Sequence, residues 1–162
     1  MRNSNQGGVL ILDLEKPESG VQTFVSLKGS TGQTGIAPLG GGLHAISGGL
    51  HSPFHFKLGS MSMLNGMAVI RRKPHIVLSA DSIGGRIWRI NTQTRAVDVV
   101  VADDELGLDS NPVNFIPLGA NGLGIIDDCL CFINSARGTF ARFKVDKSGN
   151  KIGDIEIIVQ ND

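Results

Sequence analysis

Leu64-Asn65-Gly66-Met67-Ala68-Val69 returns as Ala120-Asn121-Gly122-Leu123-Gly124-Ile125, 56 residues further along the chain. A second phrase, Asp81-Ser82-Ile83-Gly84-Gly85-Arg86-Ile87-Trp88-Arg89-Ile90, returns as Asn134-Ser135-Ala136-Arg137-Gly138-Thr139-Phe140-Ala141-Arg142-Phe143, 53 residues on. The two offsets differ by a three-residue loop change, so one unit is written twice. A repeated unit too small to bury its own faces must stack on its neighbours.

Each copy divides into four short runs rich in Val and Ile: 67–70, 75–80, 86–91 and 97–101, then 123–126, 129–133, 140–145 and 155–159. β-branched residues fit the pleated surface of a strand. Between the runs stand Arg72-Lys73-Pro74, Asp81-Ser82-Ile83-Gly84-Gly85, Asn91-Thr92-Gln93-Thr94 and Asp146-Lys147-Ser148-Gly149-Asn150, whose Pro, Gly, Asn and Asp favour turns. No window of about 11 residues sustains a 3.6-residue period. Ile76-Val77-Leu78 and Leu130-Cys131-Phe132-Ile133 are apolar on both strand faces. A β-sandwich would leave one face alternating polar. Four-stranded meanders at a period of about 40–55 residues, apolar on both sides, are instead what β-propeller blades require. Gly8–Leu14 and Val21–Leu27 read as the last two strands of a further blade.

The expectation is therefore an all-β chain, a partial β-propeller of about two and a half four-stranded blades. Its parts are a half blade over 8–27, a Gly-rich connection or insertion over 28–64, a blade over 65–101, a connection over 102–120 and a blade over 121–159. A blade without a neighbour exposes a broad apolar face, which implies either a longer propeller or copies that associate to complete a ring.

Composition narrows the rest. The 162 residues suit a single domain or part of one. Fifteen basic and fifteen acidic residues cancel, which gives no general field for nucleic acid or an anionic membrane. No apolar run approaches the ~18 residues of a membrane span, and the polar start, with only Val9–Leu12 apolar behind it, does not read as a signal peptide. Cys129 and Cys131 point the same way on a strand and are poorly placed to bridge. A reducing, cytoplasmic setting follows. The 22 glycines, against no Tyr, announce many tight turns.

Asn65 and Asn121 head the innermost run of each copy, where a side chain can line a central channel or the Asn-Gly pair can supply a turn. Arg89 and Arg142 hold matching places in the third run and can pair with a carboxylate across a blade or anchor an anionic ligand in the channel. Asp81-Ser82 and Asn134-Ser135 close the second run and can bond to the following turn. His44, His51 and His55 lie in the Gly-rich segment. They suggest zinc ligation or acid–base work, or are solvated loop residues, and no Asp or Glu lies between Gly20 and Ala80 to orient an imidazole. Asp103-Asp104-Glu105 with Asp109 reads as a cation site or an acidic surface loop. Serine-hydrolase elbow, phosphate-loop and His-Glu-x-x-His motifs are absent from the sequence.

The Asn-Gly phrases, with Ala80-Asp81-Ser82, Gly85-Arg86-Ile87-Trp88-Arg89-Ile90-Asn91, Pro117-Leu118-Gly119-Ala120-Asn121-Gly122 and Phe132-Ile133-Asn134-Ser135, resemble the senescence-marker-protein (regucalcin)/gluconolactonase-like six-bladed propellers. The resemblance is nearer to their fungal branch, which includes hetero-Diels-Alderases of secondary-metabolite pathways. It spans roughly Leu64 to Ile158, and the family pattern implies a considerably longer chain.

The resemblance implies a small-molecule substrate and a pericyclic cyclisation by orientation and hydrogen bonding, with no cofactor. One alternative is a metal-dependent lactone hydrolase, for which the resemblance singles out Asn121 as a divalent-cation ligand while the family's Glu and Asp ligands fall outside this chain. Another is an inactive truncated propeller or a binding module.

Overall fold

The computed structural model describes residues 7–27, 32–48, 62–110 and 117–161. Twelve strands form four antiparallel sheets: β1 (Gly7–Ile11) with β2 (Gln22–Leu27), β3 (Gln33–Gly40) with β4 (Leu43–Gly48), and two four-stranded meanders. The first meander is β5 (Leu64–Val69), β6 (Ile76–Asp81), β7 (Arg86–Asn91) and β8 (Val97–Ala102). The second is β9 (Ala120–Ile126), β10 (Cys129–Asn134), β11 (Thr139–Val145) and β12 (Lys151–Gln160).

The sheets stack through their first strands, β3 on β5 and β5 on β9. A partial β-propeller results. Glycine makes that approach possible: a Cβ added at Gly66 would run into the Asn121 carbonyl oxygen, and one at Gly35 into that of Asn65. The main core lies between the two meanders, where Leu78, Ala80 and Ile87 join Leu130, Phe132 and Phe143 in one cluster. The Phe132 and Phe143 rings sit 6.3 Å apart, tilted by 56°. Each large side chain removed from water there contributes roughly 1.5–3 kcal/mol before entropy is charged against it.

The two four-stranded units fall where the repeat puts them. Inside the 28–64 segment, read from the sequence as a Gly-rich connection or insertion, β3 and β4 form a hairpin. Gly40, Gly41 and Gly42 all take positive φ, at 88°, 59° and 78°, and build the turn. The strand was hidden because Gly35 and Pro38 interrupt its apolar pattern and its register shifts beside both. The hairpin is tied to the next sheet by Thr34 Oγ1, which donates to the Leu64 carbonyl at 2.6 Å, and by Ser47 Oγ, which donates to that of Asn65 at 3.2 Å. Pro17–Ser19 and Asp104–Leu106 are single 3₁₀ turns, and no helix among the described residues is long and apolar enough to cross a membrane.

Candidate functional site

Asn65 and Asn121 lie on neighbouring first strands, brought together by the Gly66 contact. The Asn121 amide is engaged: Nδ2 donates to Ser135 Oγ at 2.5 Å. Arg89 and Arg142 stand apart from them, on the third strands. Arg89 makes a two-pronged pair with Asp98 on β8, and Nη1 crosses to the Ser148 carbonyl at 2.9 Å and to Asn150 Oδ1 at 2.8 Å. Arg142 Nε pairs with Glu156 Oε2 on β12 at 2.8 Å. The four residues read as channel candidates thus divide into an inner pair of asparagines and an outer pair of arginines. Strand order alone forces this, since a third strand is separated from the inner edge by two others.

The fully buried carboxylate is structural. Asp81 is fully buried and accepts from the Met63 and Gly84 backbone N–H groups, both at 2.9 Å, from Arg86 Nε at 3.0 Å and from Trp88 Nε1 at 3.3 Å. Burial by itself raises a carboxyl's pKa, but these donors, with Ser62, outweigh it and hold Asp81 below the ordinary Asp value. Asn134, its counterpart, donates from Nδ2 to the carbonyls of Glu105 at 2.9 Å and Gly107 at 2.8 Å, and accepts from Arg137 N–H. Ser82 Oγ donates to the Ala120 carbonyl at 2.8 Å, joining the first meander to the start of the second.

A recess with room for a ligand lies at the other end of the first strands. It is an open concavity of about 1540 Å³, with a floor of Ile36, Met67, Val69, Leu123 and Ile125. Neither Asn65 nor Asn121 lines it. On its rim the β5–β6 turn presents Arg71 and Arg72, both exposed, and the β9–β10 turn presents Asp127 and Asp128. Both aspartates have positive φ, 49° and 59°, a conformation Asp tolerates better than most residues. The β11–β12 turn closes the third side, where Asp146 is held below the usual carboxylate range, first by the Asn150 side chain and then by the backbone N–H groups of Asn150 and Ser148. Lys73 Nζ donates to Ser148 Oγ at 3.0 Å and ties two of these turns together.

Sequence reasoning took Arg72-Lys73-Pro74 only as a turn. The signal was in the repeat itself, because Arg71-Arg72 and Asp127-Asp128 are 56 residues apart, so equivalent turns of adjacent blades carry opposite charge.

The remaining candidates lie elsewhere. Asp103 caps the 3₁₀ turn by accepting from Glu105 N–H and pairs with Lys151 Nζ at 3.3 Å, while Glu105 faces Arg137 at 3.9 Å, so two of the acidic residues are paired with basic neighbours. His44 is exposed on β4; His51 and His55 lie outside the described residues. No three His, Cys, Asp or Glu side chains among the described residues gather as a metal site. Cys129 and Cys131 are free thiols on one face of β10, and partial burial, then the neighbouring Cys129, pushes the Cys131 thiol up.

No protein-family model matches the chain, and no curated protein matches it by sequence. Among solved structures, the crystal structure of a nidogen/laminin complex contains a β-propeller chain that superposes with a TM-score of 0.58 over 97% of this chain at 15% identity. The present chain spans 60% of that one. At this identity the likeness establishes the fold class, a β-propeller, and nothing finer.

Proposed function

We propose that the concavity binds and orients a small, mainly apolar organic molecule, acting in the manner of the hetero-Diels-Alderases that the sequence resembles. The observation that carries this is the rim: a guanidinium pair and a carboxylate pair on adjacent turns over an apolar floor. The floor takes up a hydrocarbon body. Arg71 and Arg72 donate to a carbonyl or carboxylate at one end, and Asp127 and Asp128 accept from a hydroxyl at the other.

A [4+2] cyclisation needs no nucleophile, and holding diene and dienophile in one reactive arrangement lowers a barrier by up to ~7–11 kcal/mol. Donors that grip the dienophile carbonyl more strongly as charge develops add to this. A lactone hydrolase has less support, because no three His, Cys, Asp or Glu side chains among the described residues gather to hold the metal it needs. A non-catalytic binding module is the second reading, favoured because Asp81 and Asp146, the carboxylates with displaced pKa values, are fixed by structural partners. The propeller chain of similar fold comes from a nidogen/laminin complex, an assembly of proteins.

Ligand-observed NMR with a panel of unsaturated ketones tests the reading. Saturation transfer is expected with the wild-type chain. It should be lost in Ile36→Arg, which places a charge on an exposed part of the floor, and weakened in Arg71→Ala/Arg72→Ala. Unchanged signals in Ile36→Arg would remove the concavity as the site. Cyclised product, its ratio changed by the protein and indifferent to chelator, would separate the pericyclase from the binding module.

A further inference from the structure

The outward face of the β9–β12 sheet repeats the face by which the β5–β8 sheet receives its neighbour. Ile126, Ile133 and Phe140 stand 56, 53 and 53 residues after Ile70, Ala80 and Ile87. The earlier three are 6%, 0% and 0% exposed, because the β9–β12 sheet covers them; the later three are 63%, 50% and 38% exposed. Gly66 lies against the Asn121 carbonyl, whereas the nearest atom to a Cβ at Gly122 is Ile133 Cδ1 of its own sheet, at 3.9 Å. Arg89 pairs within its sheet and then crosses to the Ser148 carbonyl and Asn150 of the covering sheet. Arg142 makes the equivalent pair with Glu156 and, among the described residues, no crossing bond.

Three components of one interface are therefore satisfied in the first meander and open in the second. An occupant must bring a strand backbone toward Gly122, an apolar sheet face over Ile126, Ile133 and Phe140, and acceptors for Arg142. The opposite end of the molecule offers an apolar sheet: Leu10 and Phe24 on the β1–β2 hairpin are 63% and 71% exposed. The β1–β2 connection carries Asp13, Glu15 and Glu18 against a single Lys16, while Arg142 and Lys144 stand on the outward side of β11.

We propose that the chain associates head to tail, the β1–β2 sheet of a second copy docking on the outward face of β9–β12. Such a contact is heterologous, so it closes into a ring where the rotation allows and otherwise extends as a string. Among its described residues each copy has two four-stranded sheets and two two-stranded ones, so two copies supply four full blades and four partial ones, within the range of about four to eight in closed propellers. The association is independent of the ligand reading.

Sedimentation velocity across a concentration series tests it. The wild-type chain is expected to pass from monomer to dimer or larger species. Gly122→Val, Phe140→Asp and, at the far end, Phe24→Asp should each weaken self-association at least about tenfold, or ~1.4 kcal/mol. A Cβ at Gly122 meets only the flexible end of Ile133 at ordinary contact distance, and Gly122 has no positive φ; Phe24 is exposed, so both variants should keep the wild-type circular dichroism. Mixing Phe140→Asp with Phe24→Asp restores one intact junction and should yield a heterodimer. A wild-type chain that stays monomeric at its highest soluble concentration would overturn the proposal. So would a dimer insensitive to Phe24→Asp, since that would make the contact face to face.

Discussion

β6 and β10 are the same strand of the same repeat, yet β6 is buried at all six positions from Ile76 to Asp81, while β10 alternates and leaves Ile133 half exposed. The difference lies in what flanks them. The sheet of β6 meets the β3–β4 hairpin through β5 and the β9–β12 sheet through β5 and β6, whereas among the described residues the sheet of β10 meets another sheet on one side alone. Burial in a propeller is thus a property of the stacking order, and a strand apolar on both faces carries information about a neighbour it has yet to meet. The polar residues at matching sites diverge as well: Asp81 is a buried anion satisfied by donors, and Asn134 is a neutral amide that donates to two carbonyls.

The contrast is broken most forcefully at the glycines. Gly66→Ala would push a methyl group into the Asn121 carbonyl oxygen and the Leu123 backbone nitrogen. Since both are backbone atoms, the two meanders must part. A loss of about 3 kcal/mol or more, or failure to fold, is expected, against a change within about 0.5 kcal/mol for Gly122→Ala. Urea denaturation of the two variants side by side measures this, and equal effects would mean that the first strands do not meet as described.

Next in size is Asn134→Asp. It replaces a donor with a carboxylate facing the Glu105 and Gly107 carbonyls, at a cost of about 2–4 kcal/mol at neutral pH. Acid should partly relieve the defect, because the protonated carboxyl recovers one donor. A variant as stable as the wild-type chain at pH 7 would show that this turn reorganises freely.

Asp81→Asn should cost less, about 1–3 kcal/mol at neutral pH, and its pH dependence runs in the opposite sense. The folded pKa of Asp81 is lowered relative to an unfolded value of about 3.9. Its contribution is therefore complete above the unfolded pKa and disappears as pH falls through the folded one. The wild-type advantage over Asp81→Asn should shrink below about pH 4, read as a converging pair of denaturation midpoints. A constant gap down to low pH would show that the charge of Asp81 does not contribute.

How far the sequence discloses this molecule depends on what a residue's function refers to. The two meanders were legible because turn chemistry and β-branched runs are local, and the repeat sets them in register: Arg86–Asn91 is both the run read from the sequence and the strand observed. The β3–β4 hairpin was not, because its Gly-rich turn looks like filler until three positive φ values are seen together. Asn65 and Asn121 were correctly put at the head of the first strands, but the concavity opens at the tail of those strands, and no local pattern states which end of a blade is hollow. Arg89 could be read as a pairing residue or a ligand anchor. The decision came from Asp98 on the adjoining strand and from Ser148 and Asn150, some 60 residues away.

That arginine gives the smallest and sharpest comparison. Arg89 holds Asp98 and also reaches across to the β11–β12 turn, so Arg89→Met removes a contact between sheets as well as a surface pair and should cost about 1 kcal/mol. A double-mutant cycle with Asn150→Ala should return a coupling of about 0.5 kcal/mol or more, because the two share a bond. Arg142→Met disturbs only an exposed pair with Glu156, whose attraction is screened by water and salt, and monomer stability should not change measurably. The same substitution should weaken self-association, since the crossing bond of Arg142 would form with the docked copy. If Arg142→Met destabilises the monomer as much as Arg89→Met does, the arginine's worth lies within its own sheet, and the parallel between a covered face and an open one fails at its most polar point.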